Sequence, residues 1–234
     1  MEDSAILSNY IGIIKKIKST NHQTEILILG KNNFEKNSIQ LEKKVIVKLN
    51  EYIFLGKPLT KGGINPHHLL KIYFDYYKKY NNSYESASLS LKNLQIILAK
   101  KLQQIYKSQG IYIADKHVEL ILKKMTSKIK ITNIGPSFFL PGEILGLEQI
   151  RYINEILNHF LKKKIKYKPI LVGITKASLI ADGFISAASF QETTRILTTA
   201  AIEGKIDWLR GLKENITISK LLPIANNNNF KNDN

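Results

Sequence analysis

Hydrophobic and polar residues alternate over two stretches near the start of the chain, which is typical of β-strands. Residues 10–18 and 24–29 show this pattern and are separated by a polar turn at 19–23. Shorter runs at 45–49 and 52–55 repeat it. Because a period of two places one side of each strand against a core, we predict a small antiparallel, β-rich module over residues 1–65.

The pattern changes to helical spacing after a cluster of glycines and prolines at residues 56–66. Beyond it, apolar residues recur every three or four positions, which predicts amphipathic helices. The first helix is expected within 67–80 and the second after a loop at 81–83. A third is expected to begin at Asp115 as its cap, and a fourth at about Leu147. A strand is predicted between these last two, at 128–132. The predicted fold class is α+β. Its parts are the β-rich module, a mainly helical region with short strands at 66–225, and a disordered asparagine-rich tail at 226–234.

Local signals are strongest in the last third of the chain. An apolar run at 170–172 predicts a strand that leads into a mobile turn bounded by Gly173 and Gly183. Ser189 and Glu192 have the three-residue spacing of a capping box. Since such a box satisfies the first N–H groups of a helix, we predict that a helix of about four turns begins there.

Composition points to an anionic partner. The chain has 35 Lys and Arg against 19 Asp and Glu, a formal net charge of +16, which favours nucleic acid first and an acidic membrane surface second. No run of eighteen apolar residues and no signal-type leader occurs in the sequence, so we expect no membrane partner. The basic run at 161–170 suits either a solvated linker or a segment that follows a phosphate backbone.

Several polar and cationic residues of the last third are of the types that bind phosphates. Their positions alone also fit the simpler interpretation, that they are solvated charges on a basic protein. The candidates are Lys176, Gln191, Arg195, Arg210 and Lys213.

The amino-acid sequence of this segment resembles a known family. GITKASL, FISAASFQETTR and AAIEGKIDWLRGLKEN resemble the C-terminal region of the largest-subunit lineage of multisubunit RNA polymerases. That region is the end of bacterial β′ and of the β″ subunit found in cyanobacteria and plastids. FLGKPLTKGGINPHHLL and FLPGEILGLEQI resemble the same family further upstream. The chain thus looks like a shortened β″ subunit or a C-terminal piece of one.

The resemblance implies a role in a DNA-dependent RNA polymerase, a nucleotidyltransferase complex. There the chain would contribute to the downstream DNA cleft and to a switch element at the base of the clamp. Carried over by position, the resemblance implies DNA-binding residues Lys176, Gln191 and Arg195, and switch or hinge residues Thr175, Gly183, Arg210 and Lys213.

Catalysis is expected to lie in another chain. The family's Asp-Phe-Asp-Gly-Asp type loop, which holds Mg²⁺ for nucleotidyl transfer, is absent from this sequence. We therefore predict no catalytic residue and no bound cofactor, with Mg²⁺ held by another subunit. With no cysteine, the family's four-Cys zinc site is absent too, and His67 and His68 have no third ligand at suitable spacing.

The resemblance also implies partners and a location. The partners would be the β, β′, α-dimer and sigma-type subunits, together with template DNA. The segment IDWLRGLKEN resembles the plastid-type sequence of the family. This favours an organelle-encoded protein without a transit peptide, with the bacterial cytoplasm as the alternative. The residues leave two other function classes open: a free-standing basic nucleic-acid-binding module and a purely structural assembly scaffold. The tail IANNNNFKNDN departs from the family and also allows a degenerating gene copy.

Overall fold

The alternating stretches pair as strands in a computed structural model, which describes residues 4–19, 23–30, 34–40, 44–180, 183–209 and 211–222. The predicted tail at 226–234 lies outside these residues. The first sheet is antiparallel with the strand order β3-β2-β1-β4. Its strands are β1 (Gly12–Ser19), β2 (Gln23–Leu29), β3 (Phe34–Gln40) and β4 (Tyr52–Ile53).

Alternate residues of this sheet form the first core. Ile14, Ile26, Ile28 and Ile53 are fully buried, as the period of two requires. The prediction missed β3, because its sequence FEKNSIQ has little apolar alternation. The run at 45–49 is not a strand, since only Val45 forms a bridge, to Thr60.

Four helices follow, as the apolar spacing predicts. They are α1 (Pro66–Tyr77), α2 (Ser83–Ser108), α3 (Asp115–Met125) and α4 (Leu147–His159). The Asn65 side chain caps α1 by accepting a hydrogen bond from the His67 N–H, and Pro66 suits the first helical position because its missing N–H needs no partner there. Asp115 is the first residue of α3 and not its cap, which is Ala114.

A second antiparallel sheet, in the order β6-β5-β7, packs on these helices. It consists of β5 (Lys128–Asn133), β6 (Ile144–Gly146) and β7 (Lys166–Pro169). Ile129, Ile131, Ile150 and Tyr167 form a core with Phe74 of α1. Burial, and then the nearby Tyr84, raises the pKa of the Tyr167 hydroxyl to about 12.

The basic run at 161–170 is not a solvated linker throughout, because residues 166–169 form β7; contact of its lysines with phosphates stays a prediction. Ile165 and Tyr167 are buried, because alternation inside the run places them on the core side of β7. The strand expected at 170–172 lies earlier in the chain, since β7 ends at Pro169.

The last part of the chain is helical in short pieces. It contains α5 (Ile174–Leu179), α6 (Phe184–Ala188), α7 (Thr193–Ile202) and α8 (Leu212–Thr217). The turn expected between Gly173 and Gly183 therefore includes a helix. The capping box is also wrong: the Ser189 hydroxyl donates to the Ile185 carbonyl at 2.6 Å, which ties it to the end of α6, and α7 begins only at Thr193.

The α+β class is confirmed, and the chain divides into two compact units, residues up to Leu171 and residues from Val172 onward. The predicted boundary at 65 and 66 marks the change from strands to helices inside the first unit. No helix in the described part of the chain combines the length and apolarity that a membrane crossing needs.

The core of the second sheet provides a stability test. Ile150→Ala is expected to lower the free energy of unfolding by about 2–5 kcal/mol, because it opens a cavity around a fully buried side chain. Ile156→Ala is the control, since Ile156 lies on the same helix and is exposed. Urea denaturation followed by circular dichroism measures both. Equal losses in the two variants would contradict the packing described here.

Candidate nucleic-acid interface

Three of the candidate residues meet at one turn, residues 189–192, which joins α6 to α7. Gln191 lies in this turn and is exposed. From α8, the Lys213 Nζ donates to the Ser189 carbonyl at 3.5 Å. From the first turn of α7, the Arg195 Nη1 contacts the Glu192 carboxylate at 2.8 Å. The turn therefore carries one amide and two cationic groups on its surface.

The backbone of this turn is held in a sparsely populated conformation. Glu192 has φ = 56°, in the left-handed region, although it is not glycine. Such a residue costs free energy and persists only where its surroundings hold it. Here the Thr193 hydroxyl donates to the Ala188 carbonyl at 2.8 Å, and the Ile196 N–H donates to the Glu192 carbonyl at 3.0 Å. The sharp reversal between α6 and α7 follows from these contacts.

The ion pair at the turn leaves Arg195 available to a ligand. The Arg195 side chain is 79% exposed and that of Glu192 is 47% exposed. Since a solvent-exposed pair contributes little free energy, a phosphate group can compete for the guanidinium N–H groups. The Arg195 guanidinium group is therefore accessible, and its ion pair with Glu192 does not prevent a contact with DNA.

The other candidates lie elsewhere. Thr175 and Lys176 are on α5 and are exposed, and α5 packs against α6. Within the part of the chain that the structure describes, no hydrogen bond or ion pair joins Lys176 to the turn at 189–192. Arg210 lies outside the described residues. The roles of all these side chains toward DNA stay predictions.

A set of buried polar groups lies beside the turn, and the sequence analysis missed it. Glu214 and Asn215, in α8, are 2% and 5% exposed. The Asn215 amide donates to the carbonyls of Leu209 at 2.6 Å and Gly211 at 2.7 Å. The Asp207 carboxylate accepts hydrogen bonds from the Leu209 and Ile185 N–H groups. These contacts connect α6 to the segment that leads into α8.

Gly183 was predicted as a hinge residue, a role that stays a prediction, and its surroundings show that it also has a packing role. A Cβ atom at Gly183 would collide with the Glu214 carboxylate and crowd that of Asp207. A Cβ atom at Gly211 would also collide with Glu214. Both glycines therefore leave room for the buried Glu214 carboxylate, whose Oε2 has no hydrogen-bond partner among the described residues. The only signal in the sequence is the position of Gly211 between two nearby acidic residues, Asp207 and Glu214.

No three His, Asp or Glu side chains of the described residues lie close enough together to hold a metal ion. The prediction that Mg²⁺ is held by another chain stays a prediction. What the site offers is a set of cationic and amide groups on a rigid turn, and these can bind phosphate oxygens without reading bases.

Comparison with known proteins gives consistent matches. The family of RNA polymerase Rpb1, domain 5, matches residues 6–182. The chain is 50% identical over 191 residues to the DNA-directed RNA polymerase subunit β″ of Rhodomonas salina, covering 82% of this chain and 15% of that protein. It is 42% identical over 223 residues to subunit β′ of Prochlorococcus marinus (strain NATL1A), covering 94% of this chain and 16% of that protein.

A third relative agrees. The chain is 49% identical over 185 residues to the DNA-directed RNA polymerase subunit β″ of Cyanidium caldarium, with 79% of this chain and 15% of that protein covered. The chain thus spans about 15% of the length of the β″ relatives that it matches.

The space around Glu214 predicts the behaviour of two glycine variants. Gly183→Ala is expected to destabilise the second unit by about 1–3 kcal/mol, the usual cost of forcing an atom into a filled space. Gly173→Ala is the matched control, because no atom lies within 4 Å of its Cβ position and its φ of −62° suits alanine. Hydrogen exchange at the amides of α7 measures both.

The same measurement on a double variant tests the cause. Glu214→Ala removes the side chain that Gly183→Ala would strike, so the combined loss is expected to be smaller than the sum of the single losses. Strict additivity, or equal exchange in Gly183→Ala and Gly173→Ala, would show that Glu214 does not determine the need for glycine at 183.

Proposed function

Since the chain belongs to the RNA polymerase Rpb1 domain 5 family, we propose that it forms part of the β″- or β′-type subunit of a DNA-directed RNA polymerase. It acts in transcription within that complex and carries no catalytic residue of its own. The observation that supports this most is the 42–50% identity to subunits of that name over most of the chain. The net charge of +16 suits a protein that borders DNA.

Within the complex, Lys176, Gln191 and Arg195 contact phosphates of the downstream DNA. Contacts of this kind fix the position of a duplex and carry no sequence information. A polymerase needs such sequence-independent contacts because it must hold every template sequence that it transcribes. The exposure of all three side chains supports the assignment. Each contact made by a cationic group releases counterions, so binding weakens as salt rises.

The residues Thr175, Gly183, Arg210 and Lys213 belong to the switch at the base of the clamp. The hydrogen bond from Lys213 to the Ser189 carbonyl links α8 to the turn that carries Gln191. A shift of α8 would therefore be passed to the DNA-facing turn, as in other small rearrangements of packed elements.

The chemistry is supplied by other chains. No cofactor is bound by this one; Mg²⁺ is held by the subunit with the catalytic aspartates, and the family's zinc site is absent. The partners are the β, β′, α-dimer and sigma-type subunits and template DNA. The β″ names of two relatives favour a plastid as the location, with the bacterial cytoplasm as the alternative.

A second function, assembly scaffold, is favoured by exposed apolar side chains in the second unit. Ile202, Trp208 and Ile216 are 81%, 73% and 62% exposed, and exposed apolar groups mark an interaction surface where they form a contiguous patch. The two functions separate by experiment. In a scaffold, Leu197→Ala or Phe190→Ala prevents the tagged chain from recovering the other subunits, and removing the cations leaves DNA retention unchanged.

The DNA contacts are tested in the assembled polymerase. Lys176→Ala and Arg195→Ala are each expected to shorten the lifetime of the open complex on DNA. They are also expected to reduce the slope of log affinity against log salt by about one, because one phosphate contact is lost. Filter binding over a range of salt concentrations measures both quantities.

Lys116→Ala is the control for charge alone. Lys116 is a highly exposed lysine of the first unit that pairs with Glu119 at 3.5 Å, and its removal changes the net charge equally. An unchanged salt slope in both site variants, or an equal change in Lys116→Ala, would reject the assignment. Failure to recover any polymerase subunit with the tagged wild-type chain would instead favour a free-standing basic nucleic-acid-binding module.

A further inference from the structure

A second cationic site lies in the first unit, between α1 and the β5 and β7 strands of the second sheet. A groove of about 240 Å³ separates α1 from the ends of β5 and β7. Its rim carries the three lysines Lys71, Lys130 and Lys168, one from each of these elements. All three side chains are exposed.

The strand register brings two of the lysines together. Lys130 and Lys168 are direct partners across the antiparallel pair β5 and β7, and side chains at such positions lie on one face with Cβ atoms about 5 Å apart. Like charges directly opposite each other are destabilising. The chain nevertheless keeps two ammonium groups at this position, which an anion between them would stabilise.

No carboxylate of the described residues forms an ion pair with these three lysines. Asp75 also lines the groove, one turn after Lys71 on α1, and is the only acidic residue there. Another cavity of the same unit differs in this respect. There Arg151 is matched by Glu148 at 3.9 Å and Glu155 at 3.0 Å.

The floor of the groove is apolar. Leu70 and Phe74 of α1, each 3% exposed, face Pro169 and Leu171 at the end of β7. The volume is below the ~300–1,000 Å³ of pockets that enclose drug-sized ligands, so the groove covers one ring system and leaves the rest of a bound molecule at its open rim. An apolar floor below a cationic rim matches a ligand with one apolar part and several negative charges.

We infer that this groove binds a nucleotide, with its phosphates on Lys71, Lys130 and Lys168 and its base on the apolar floor. Ammonium groups act as point charges that also bind phosphate. Three of them are better matched by a phosphate group, with about −1.5 to −2 charges and three acceptor oxygens, than by a single carboxylate. The nucleotide is either free or one unit of a single strand. The inference concerns the first unit alone and does not rest on the proposed function of the turn at 189–192.

The test uses the full chain and three probes: ADP, pyrophosphate and a single-stranded ten-residue oligothymidylate. Lys130→Gln combined with Lys168→Gln is expected to weaken ADP binding about tenfold or more, because two charge-assisted contacts are lost. Lys123→Gln combined with Lys124→Gln is the matched control, since both lysines are exposed on α3 and the charge change is the same. Calorimetric titration measures the affinities, and circular dichroism verifies that each variant is folded.

The outcomes separate as follows. The nucleotide groove is supported if the affinity for ADP falls about tenfold in the groove pair and about twofold or less in the control pair, and if pyrophosphate binds more weakly than ADP. Equal losses in both pairs, or displacement of ADP by polyglutamate as readily as by pyrophosphate, overturn it. An unchanged affinity in the groove pair also overturns it.

Competition identifies the source of the nucleotide. If the oligothymidylate displaces ADP and its own binding weakens in the groove pair, the ligand is a unit of a single strand. If ADP stays bound in the presence of the oligothymidylate, the ligand is a free nucleotide. Either result holds whether or not the chain recovers polymerase subunits, so failure of the groove and failure of the proposed function are distinguishable.

Discussion

A buried carboxylate with almost no space around it determines how the second unit is built. Glu214 lies between Gly183 and Gly211, where any side chain would strike it, and Asp207 and Asn215 bond the backbone on both sides. Burying an acidic side chain is costly unless its surroundings compensate. The position of α6 relative to α8 is therefore tightly fixed, and with it the turn that follows α6.

This constraint lowers the free-energy cost of ordering the cationic residues on the turn. An arginine on a flexible loop gains little from one phosphate, because the free energy of ordering the loop offsets the contact. Here Arg195 extends from a turn that Lys213 and Thr193 already contact, so the proposed phosphate contact would need little further ordering. The same holds for two lysines of the second sheet, since the strand register itself places Lys130 opposite Lys168.

The sequence predicted the elements that depend on apolar spacing, including α1, α4 and the first two strands. It did not predict β3, whose pairing is made by backbone groups and needs no apolar pattern. It placed a capping box at Ser189 because spacing alone cannot tell whether a serine begins one helix or ends another. It missed Glu214 because burial of a charged residue depends on neighbours distant in the chain.

The proposed position of the turn at residues 189–192, facing DNA in an assembled polymerase, has a direct test. It is site-specific photo-cross-linking from Gln191 in a reconstituted complex on labelled promoter DNA, with Ile202 at the far end of α7 as the reference position. Cross-links to downstream DNA are expected from position 191, at a yield that falls as salt rises, and far fewer from position 202. Cross-links from position 191 to protein alone would contradict it.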